Sequence, residues 1–234
     1  MQAIILCGGL STRLGKTTQH LPKNLLEIGG KTVLEWQLAL LTEAGVTEII
    51  LASGHLHDVL YAQVGASCNG VKIRYAQEEK PLGTGGAIQN AFRLVNAFPV
   101  FVLHGDILLK GISLAEMRAA LRPEMDGLVL GVPVADLGSY GEIVADAHGR
   151  ITAFREKQQT ARPGCANGAV FLFNRTIINA FPQTETFSIE RDVFPFVRYL
   201  YVYNVPASRS RFWIDIGVPA RLAYARQHFT TSGP

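Results

Sequence analysis

A chain of 234 residues fits one large α/β domain and can bury a core without disulfide or metal staples. Net charge is +3 with Lys and Arg scattered, so no basic stripe or arm marks a nucleic-acid surface. The 18% charged content lies below the roughly 25% usual in globular domains. A slightly larger core accounts for that, and a surface kept for a homo-oligomer is the other account.

Gln2 to Cys7 reads as a buried strand. Its apolar run is short and has no basic segment before it, so the expectation is neither signal peptide nor membrane span, and a cytoplasmic protein. Cys7, Cys68 and Cys165 are odd in number, far apart and without C-x-x-C spacing, which suits small buried residues better than a disulfide or zinc site. Val33 to Ala44 reads as a helix with Leu34, Leu38 and Leu41 on one face. Strands at 47–52, 71–76 and 99–103 alternate with helices at 55–64 and 84–95. That alternation predicts a Rossmann-like, mainly parallel sheet with helices on both faces, and ligands beyond the carboxyl ends of its strands.

The second half changes character. Glu142 to Ala145 and Arg150 to Phe154 flank DAHG as a hairpin, and Ala169 to Phe173 reads as a strand. Ser188 to Phe194 reads as a short helix with Ser188 as N-cap and Pro195 as stop. Leu200 to Asn204 is a further strand, Val218 to Phe229 a closing helix, and TTSGP a frayed tail. These pieces predict a small β-rich accessory lobe on a nucleotide-binding half, within one domain.

CGGLSTRLGK, Cys7 to Lys16, follows the first strand directly. Adjacent glycines let backbone N–H groups approach an anion closely. The loop is not a P-loop, because Gly15-Lys16-Thr17 would need a glycine where Leu10 stands. Nor is it a dinucleotide fingerprint, since its glycines are adjacent. An ordinary turn would explain Gly8-Gly9 alone; Arg13, Lys16 and Lys23 add cations suited to polyphosphate. In EEKPLGTGGAI, Glu78 to Ile88, glycines permit close approach, Thr84 can cap a helix, and Gln77 just before it can donate to and accept from a base edge. A cap with a loose first turn is the plainer account. Asp106 in LHGDI ends a strand, and Asp215 in FWIDIG sits in an apolar run, where a carboxylate is costly unless paired or cation-bound. None of the six histidines, His55, His57 and His104 among them, receives a role.

Gly8, Gly9, Leu10, Thr12, Arg13 and Leu14, followed by Pro22 and Lys23, resemble the L-x-G-G-x-G-T-R-L and P-K signature of sugar-nucleotide pyrophosphorylases, the sugar-1-phosphate nucleotidyltransferases. Ser11 replaces the third glycine, and Gly15-Lys16 the usual basic-proline pair. Ser-x-Arg-x-Gly also resembles the loop of molybdenum-cofactor guanylyltransferases and related cytidylyltransferases, so this loop leaves two branches open. Later segments resemble the sugar branch: PLGTGGAI; Gly141 in SYGEI; Glu156-Lys157 in FREKQ; Asn167-Gly168 in ANGAVFLF; Glu190 in FSIERDVFP.

The resemblance implies a single domain over residues 1–234, with a nucleotide-binding lobe at 1–110 and a sugar-phosphate-binding lobe at 111–229. It assigns Leu6, Gly8, Gly9, Arg13, Gln77, Gly83, Thr84 and Asp106 to the nucleotide. Gly141, Glu156, Lys157, Asn167, Gly168 and Glu190 go to the sugar phosphate. Mg²⁺ falls to Asp106 and Asp215, and Arg13, Lys23, Asp106 and Lys157 are the catalytic set. The implied reaction joins a nucleoside triphosphate and a sugar 1-phosphate, with no nucleic-acid or membrane partner. PLGTGGAI, FSIERDVFP and WIDIGVP together are most similar to the D-glycero-α-D-manno-heptose 1-phosphate guanylyltransferases of that family. Hexose 1-phosphate and N-acetylmuramate 1-phosphate nucleotidyltransferases stay open as alternatives. A cofactor nucleotidyltransferase would leave Lys157 and Glu190 unexplained, and a non-catalytic sensor would be expected to lack Arg13 or a metal aspartate.

Overall fold

The computed structural model describes residues 1–155, 161–205 and 211–229. The chain opens with β1 (Gln2–Leu6), a 3-10 segment over Thr12–Thr18, and a minimal hairpin of β2 (Glu27–Ile28) and β3 (Lys31–Thr32). Then come α1 (Val33–Glu43), β4 (Glu48–Ser53), α2 (His57–Val64), β5 (Ser67–Cys68), β6 (Val71–Gln77), α3 (Gly83–Phe92) and β7 (Val100–His104). Each of these longer elements falls within a few residues of its predicted place. α1 starts sharply because Thr32 and Glu35 form a capping box: the Glu35 N–H donates to the Thr32 hydroxyl at 3.1 Å, and the Thr32 N–H to Glu35 Oε2 at 2.7 Å.

β7, β1, β4 and β6 lie side by side in parallel and form the centre of a ten-stranded sheet. Alternation along β1 shows why helices cover both faces. Ala3 and Ile5 pack with Leu34, Leu38 and Leu41 of α1, whereas Ile4 packs with Ile88 and Ala91 of α3. Phe101, Phe171 and Phe173 are fully buried, each stabilising by about 1.5–3 kcal/mol. All three cysteines are unpaired as expected, although only Cys7 is buried and the other two are partly exposed.

After β7 come β8 (Ile107–Lys110), α4 (Leu114–Ala120), β9 (Gly127–Val134), β10 (Glu142–Ala145), β11 (Ile151–Arg155) and β12 (Gly164–Phe173). β12 runs antiparallel between β7 and β9, and β10 with β11 extends the sheet as the predicted hairpin. β9 was not among the predicted strands; its segment GLVLGVPV carries two glycines and a proline, residues uncommon inside strands. Packing explains them. A Cβ on Gly127 would meet Phe173 Cδ1 at 2.7 Å, and one on Gly131 would meet Cys165 Sγ at 2.7 Å. β12 also starts five residues earlier than the predicted strand. Ala169 has φ 55° and its N–H donates to Asn167 Oδ1 at 3.0 Å, so an irregular step mid-strand mimics a turn.

The remaining elements are α5 (Ile189–Asp192), β13 (Leu200–Asn204), β14 (Phe212–Asp215) and α6 (Pro219–His228). Ser188 caps α5 as expected, and Pro195 sits in a 3-10 turn over Phe194–Phe196. β14 pairs antiparallel with β8 in a separate ribbon, and α6 covers it through Leu222, Ala225 and Phe229 against Leu108, Ile214 and Ile216. No helix among the described residues is long and apolar enough to cross a membrane. The expected tail and the Glu156-Lys157 pair lie outside the described residues.

Candidate active site

Two cavities open beyond the carboxyl ends of the parallel strands, as expected for such sheets. The first holds about 330 Å³ and is lined by Leu6, Gly8, Gly9, Lys23, Gly83 and Thr84 among others. The second holds about 360 Å³ and is lined by Gly141, Asn167, Glu190, Asp215 and Arg13 among others. His104 and Asp106 line both. Most described members of each predicted ligand set line their own compartment, and the two compartments meet at His104 and Asp106; Arg13, assigned to the nucleotide, lines the second.

Several assignments in the first cavity need correction. Gln77 is exposed and does not line it; its carbonyl accepts a hydrogen bond from Asn90 Nδ2 at 3.1 Å. β6 ends at Gln77 with that side chain directed outward, and the next residue, Glu78, turns inward. The Leu82 N–H donates to Glu78 Oε2 at 3.2 Å, and a Cβ on Gly8 would lie 2.6 Å from Glu78 Oε1. Burial pushes the Glu78 carboxyl above its ordinary value, against the pull of the Leu82 N–H. Thr84 does not cap α3. Its hydroxyl donates to Glu190 Oε2 at 2.9 Å and accepts from the Ile189 N–H at 3.0 Å, tying α3 to α5. Gly83 lines the cavity, and it also makes room, with Gly85 and Gly86, for the segment Glu185–Ile189: the Gly85 N–H donates to the Phe187 carbonyl at 2.9 Å, and a Cβ on Gly83 would lie 2.6 Å from that oxygen.

The shared wall is built by the turn between β7 and β8. The Gly105 N–H donates to the Leu6 carbonyl at 3.0 Å, an approach that a Cβ at position 105, 2.5 Å from the same oxygen, would prevent. Asp106 follows, and Lys23 Nζ lies 2.6 Å from its Oδ2. Burial raises the Asp106 carboxyl pKa, but the Lys23 charge, with His104, outweighs it and holds the group below its ordinary value. Asp215 reaches the same place because the β8–β14 register sets it opposite Ile107. A point beside Gly217 is 3.1 Å from Asp215 Oδ1 and 3.5 Å from both Asp106 Oδ2 and Arg13 Nη2. Arg13 thus stands beside the carboxylates, on the second cavity's side of the junction. Two carboxylates suit a hard divalent cation that completes its shell with phosphate oxygens and water. Among the described residues no third acidic, histidine or cysteine side chain joins them.

Gln37 of α1 was not singled out by sequence, yet it fixes this turn. It is 1% exposed, and its Nε2 donates to the carbonyls of His104 and Ile107 at 2.8 and 2.9 Å, one on each side of Gly105-Asp106. Gln37→Leu fills similar volume without either donor. It should lower kcat about 10- to 100-fold, the range for lost outer-shell support of a ligating carboxylate. Steady-state kinetics check this, and a rate within threefold of wild type would make Gln37 a packing residue.

In the second cavity Glu190 lies in a dense network. The Ser188 hydroxyl donates to its Oε2 at 2.9 Å, and His104 Nε2 stands 3.3 Å from Oε1. Burial would raise the Glu190 carboxyl, but His104 and Ser188 bring it down to about 2. Glu190 in turn raises His104 above its ordinary value against burial, so a histidine given no role in sequence stands in the wall of both cavities as the partner of Glu190. Gly168 does not line the cavity: a Cβ there would lie 2.8 Å from the Leu130 carbonyl, and its own carbonyl accepts from Trp213 Nε1 at 3.0 Å.

The family described as "Nucleotidyl transferase" matches residues 2–232. D-glycero-alpha-D-manno-heptose 1-phosphate guanylyltransferase of Campylobacter jejuni is 34% identical over 94% of this chain and 96% of its own. The Aneurinibacillus thermoaerophilus protein of the same name is 32% identical over 94% of each chain. Among solved structures, HddC from Yersinia pseudotuberculosis complexed with GMP-PN superposes with a TM-score of 0.83 at 29% identity, covering 98% of this chain and 99% of that one.

Proposed function

This chain belongs to the nucleotidyl transferase family, and we propose that it transfers the guanylyl group of GTP to D-glycero-α-D-manno-heptose 1-phosphate, giving GDP-heptose and pyrophosphate. The observation that carries this is the pair of cavities sharing Asp106, one for each substrate. Relatives named for that reaction supply the choice of base and sugar.

An oxygen of the acceptor phosphate attacks the α-phosphorus of GTP in line. The bond from the α-phosphorus to the bridging oxygen breaks, and pyrophosphate leaves with the electron pair. No group on the protein needs to become covalently attached, so the site acts by positioning and charge neutralisation. Asp106 and Asp215 would hold a divalent ion such as Mg²⁺, which would supply charge neutralisation for the phosphates. Lys23 and Arg13 offset the charge gathering on the leaving pyrophosphate. Lys157 and Glu156 are proposed at the acceptor phosphate, with Gly141, Asn167 and Glu190 at the sugar.

Glu78 supports guanine in particular. Guanine presents two neighbouring donors, N1–H and the N2 amino group, and a carboxylate accepts both, whereas uracil and thymine offer one donor between two acceptors. Glu78→Gln should raise the GTP KM about 10- to 100-fold, since a good paired contact to a base carries about 1–3 kcal/mol of discrimination. Comparing kcat/KM for GTP and UTP checks this. An unchanged ratio would confine Glu78 to shaping the loop against Gly8.

The overall test is a matrix of four nucleoside triphosphates against heptose, hexose and N-acetylmuramate 1-phosphates, read by pyrophosphate release. GTP with the heptose 1-phosphate should give the highest kcat/KM. A higher value for another pair would overturn the choice of substrates.

A further inference from the structure

Arg221 was not marked by any motif, and its setting is unusual for a helix-surface arginine. It projects from the first turn of α6 into the second cavity, with its side chain 16% exposed. Nη1 lies 2.8 Å from Asp215 Oδ2, and the guanidinium carbon sits 5.2 Å from the centroid of the Tyr140 ring. Nε and Nη1 are buried and make no aligned hydrogen bond among the described residues. A guanidinium carries five N–H donors, and burying them against one carboxylate and one ring leaves most of that capacity unused. Such burial is costly unless a further acceptor arrives.

The position says which acceptor. The two substrates must react where their cavities meet, at Asp106, and Asp215 joins Asp106 across the β8–β14 ribbon. Arg221 is the partner of Asp215 but lines the acceptor cavity alone, so it faces that junction from the acceptor's side. The part of a sugar 1-phosphate that must come to the junction is its phosphate. Of the cavity's other arginines, Arg155 is half-exposed, 3.3 Å from Glu142, Arg191 is exposed beside Asp192, and Arg13, itself exposed, reaches the junction from the loop after β1 rather than from the side of Asp215 and Tyr140. We propose that Arg221 binds the phosphate of the acceptor, presenting its planar fork to two phosphate oxygens while Asp215 and Tyr140 hold the plane in place. The inference rests on the reading of the chain as a sugar-phosphate nucleotidyltransferase. It adds to the acceptor phosphate site a residue from the last helix.

The test uses Arg221→Gln and Arg221→Lys in the full chain, with whichever sugar 1-phosphate and nucleoside triphosphate the wild type turns over best. A different preferred sugar would therefore overturn the substrate reading and leave this test intact. Arg221→Gln should raise the acceptor KM about 10- to 100-fold, the range for a charge-assisted hydrogen bond, and Arg221→Lys should recover part of that loss. Calorimetric affinity for the nucleoside triphosphate without acceptor should stay within about threefold. Inorganic phosphate should inhibit the wild type competitively with the acceptor at saturating nucleotide, and Arg221→Gln should weaken that inhibition in parallel. Should Arg221→Gln fail to fold, the lysine variant carries the same comparison. An unchanged acceptor KM, or equal losses for acceptor and nucleotide, would overturn the proposal and leave Arg221 as the counter-charge of Asp215. A raised acceptor KM with phosphate inhibition intact would also overturn it, by moving the contact to the sugar hydroxyls.

Discussion

Asp106→Asn is expected to lower kcat by about 10³-fold, a loss near 4 kcal/mol and the upper end of what one displaced electrostatic group costs. The substitution preserves shape at the β7–β8 turn but removes the negative charge on which both cavities converge. Lys23, now 2.6 Å from Asp106 Oδ2, would lose its counter-ion and be drawn onto substrate phosphate in an altered position. Two signatures separate this from simple damage. The divalent-ion concentration giving half-maximal rate should rise, because one of two candidate ligands has become neutral. Thermal stability should change little, since the turn keeps its Gly105 and Gln37 hydrogen bonds. Wild-type turnover should stop in excess chelator. A variant with near-normal rate and an unchanged divalent-ion requirement would remove Asp106 and Asp215 from the reaction.

The parts of the site legible in sequence were those whose neighbours in the chain carry the signal. Gly8-Gly9 follows β1 with only Cys7 between, and Asp106 follows β7 with one glycine between, so strand periodicity plus a local motif located them. Asp215 was legible for a different reason: a carboxylate inside FWIDIG is costly without a partner. Residues whose roles come from distant partners were not legible. Gln37 acts through carbonyls 67 and 70 residues away, a relation no local pattern records. Glu78 was passed over for Gln77 because strand alternation near a terminus does not say where β6 stops, and a one-residue difference inverts which side chain faces the ligand. The glycines of GTGG were read as making room for a ligand; Gly83 does line the cavity, but all three also make room for Glu185–Ile189, more than 95 residues later. In the fold, the parallel half was legible because its strands are apolar runs separated by helices. β9 was hidden because Gly127 and Gly131 serve close strand packing, which resembles a turn composition.

Arg13→Ala should reduce kcat about 10²- to 10³-fold, or about 3–4 kcal/mol, by analogy with deleting one preorganised donor to developing negative charge. Arg13 sits in the 3-10 segment after Ser11, whose φ of 53° turns the chain back toward Gly217. That turn brings Nη2 within 3.5 Å of the point where Asp106 and Asp215 approach each other. The arginine is otherwise exposed, so its ordering is left to the substrate complex. A cation beside two carboxylates, on the acceptor side of the junction where the two cavities meet, is within reach of the charge that appears on the pyrophosphate oxygens as the bond to the α-phosphorus breaks. The loss should therefore fall on kcat, while the acceptor KM stays within about threefold, or roughly 0.7 kcal/mol. In the reverse direction the pyrophosphate KM should rise, because there the same charge is present in the ground state. Arg13→Lys should be intermediate, keeping the charge but not the two-pronged geometry. The plain alternative is that Arg13 belongs to a surface turn whose only requirement is a polar side chain. On that alternative Arg13→Ala would turn over at close to the wild-type rate in both directions, and the glycine loop would be left without its catalytic cation.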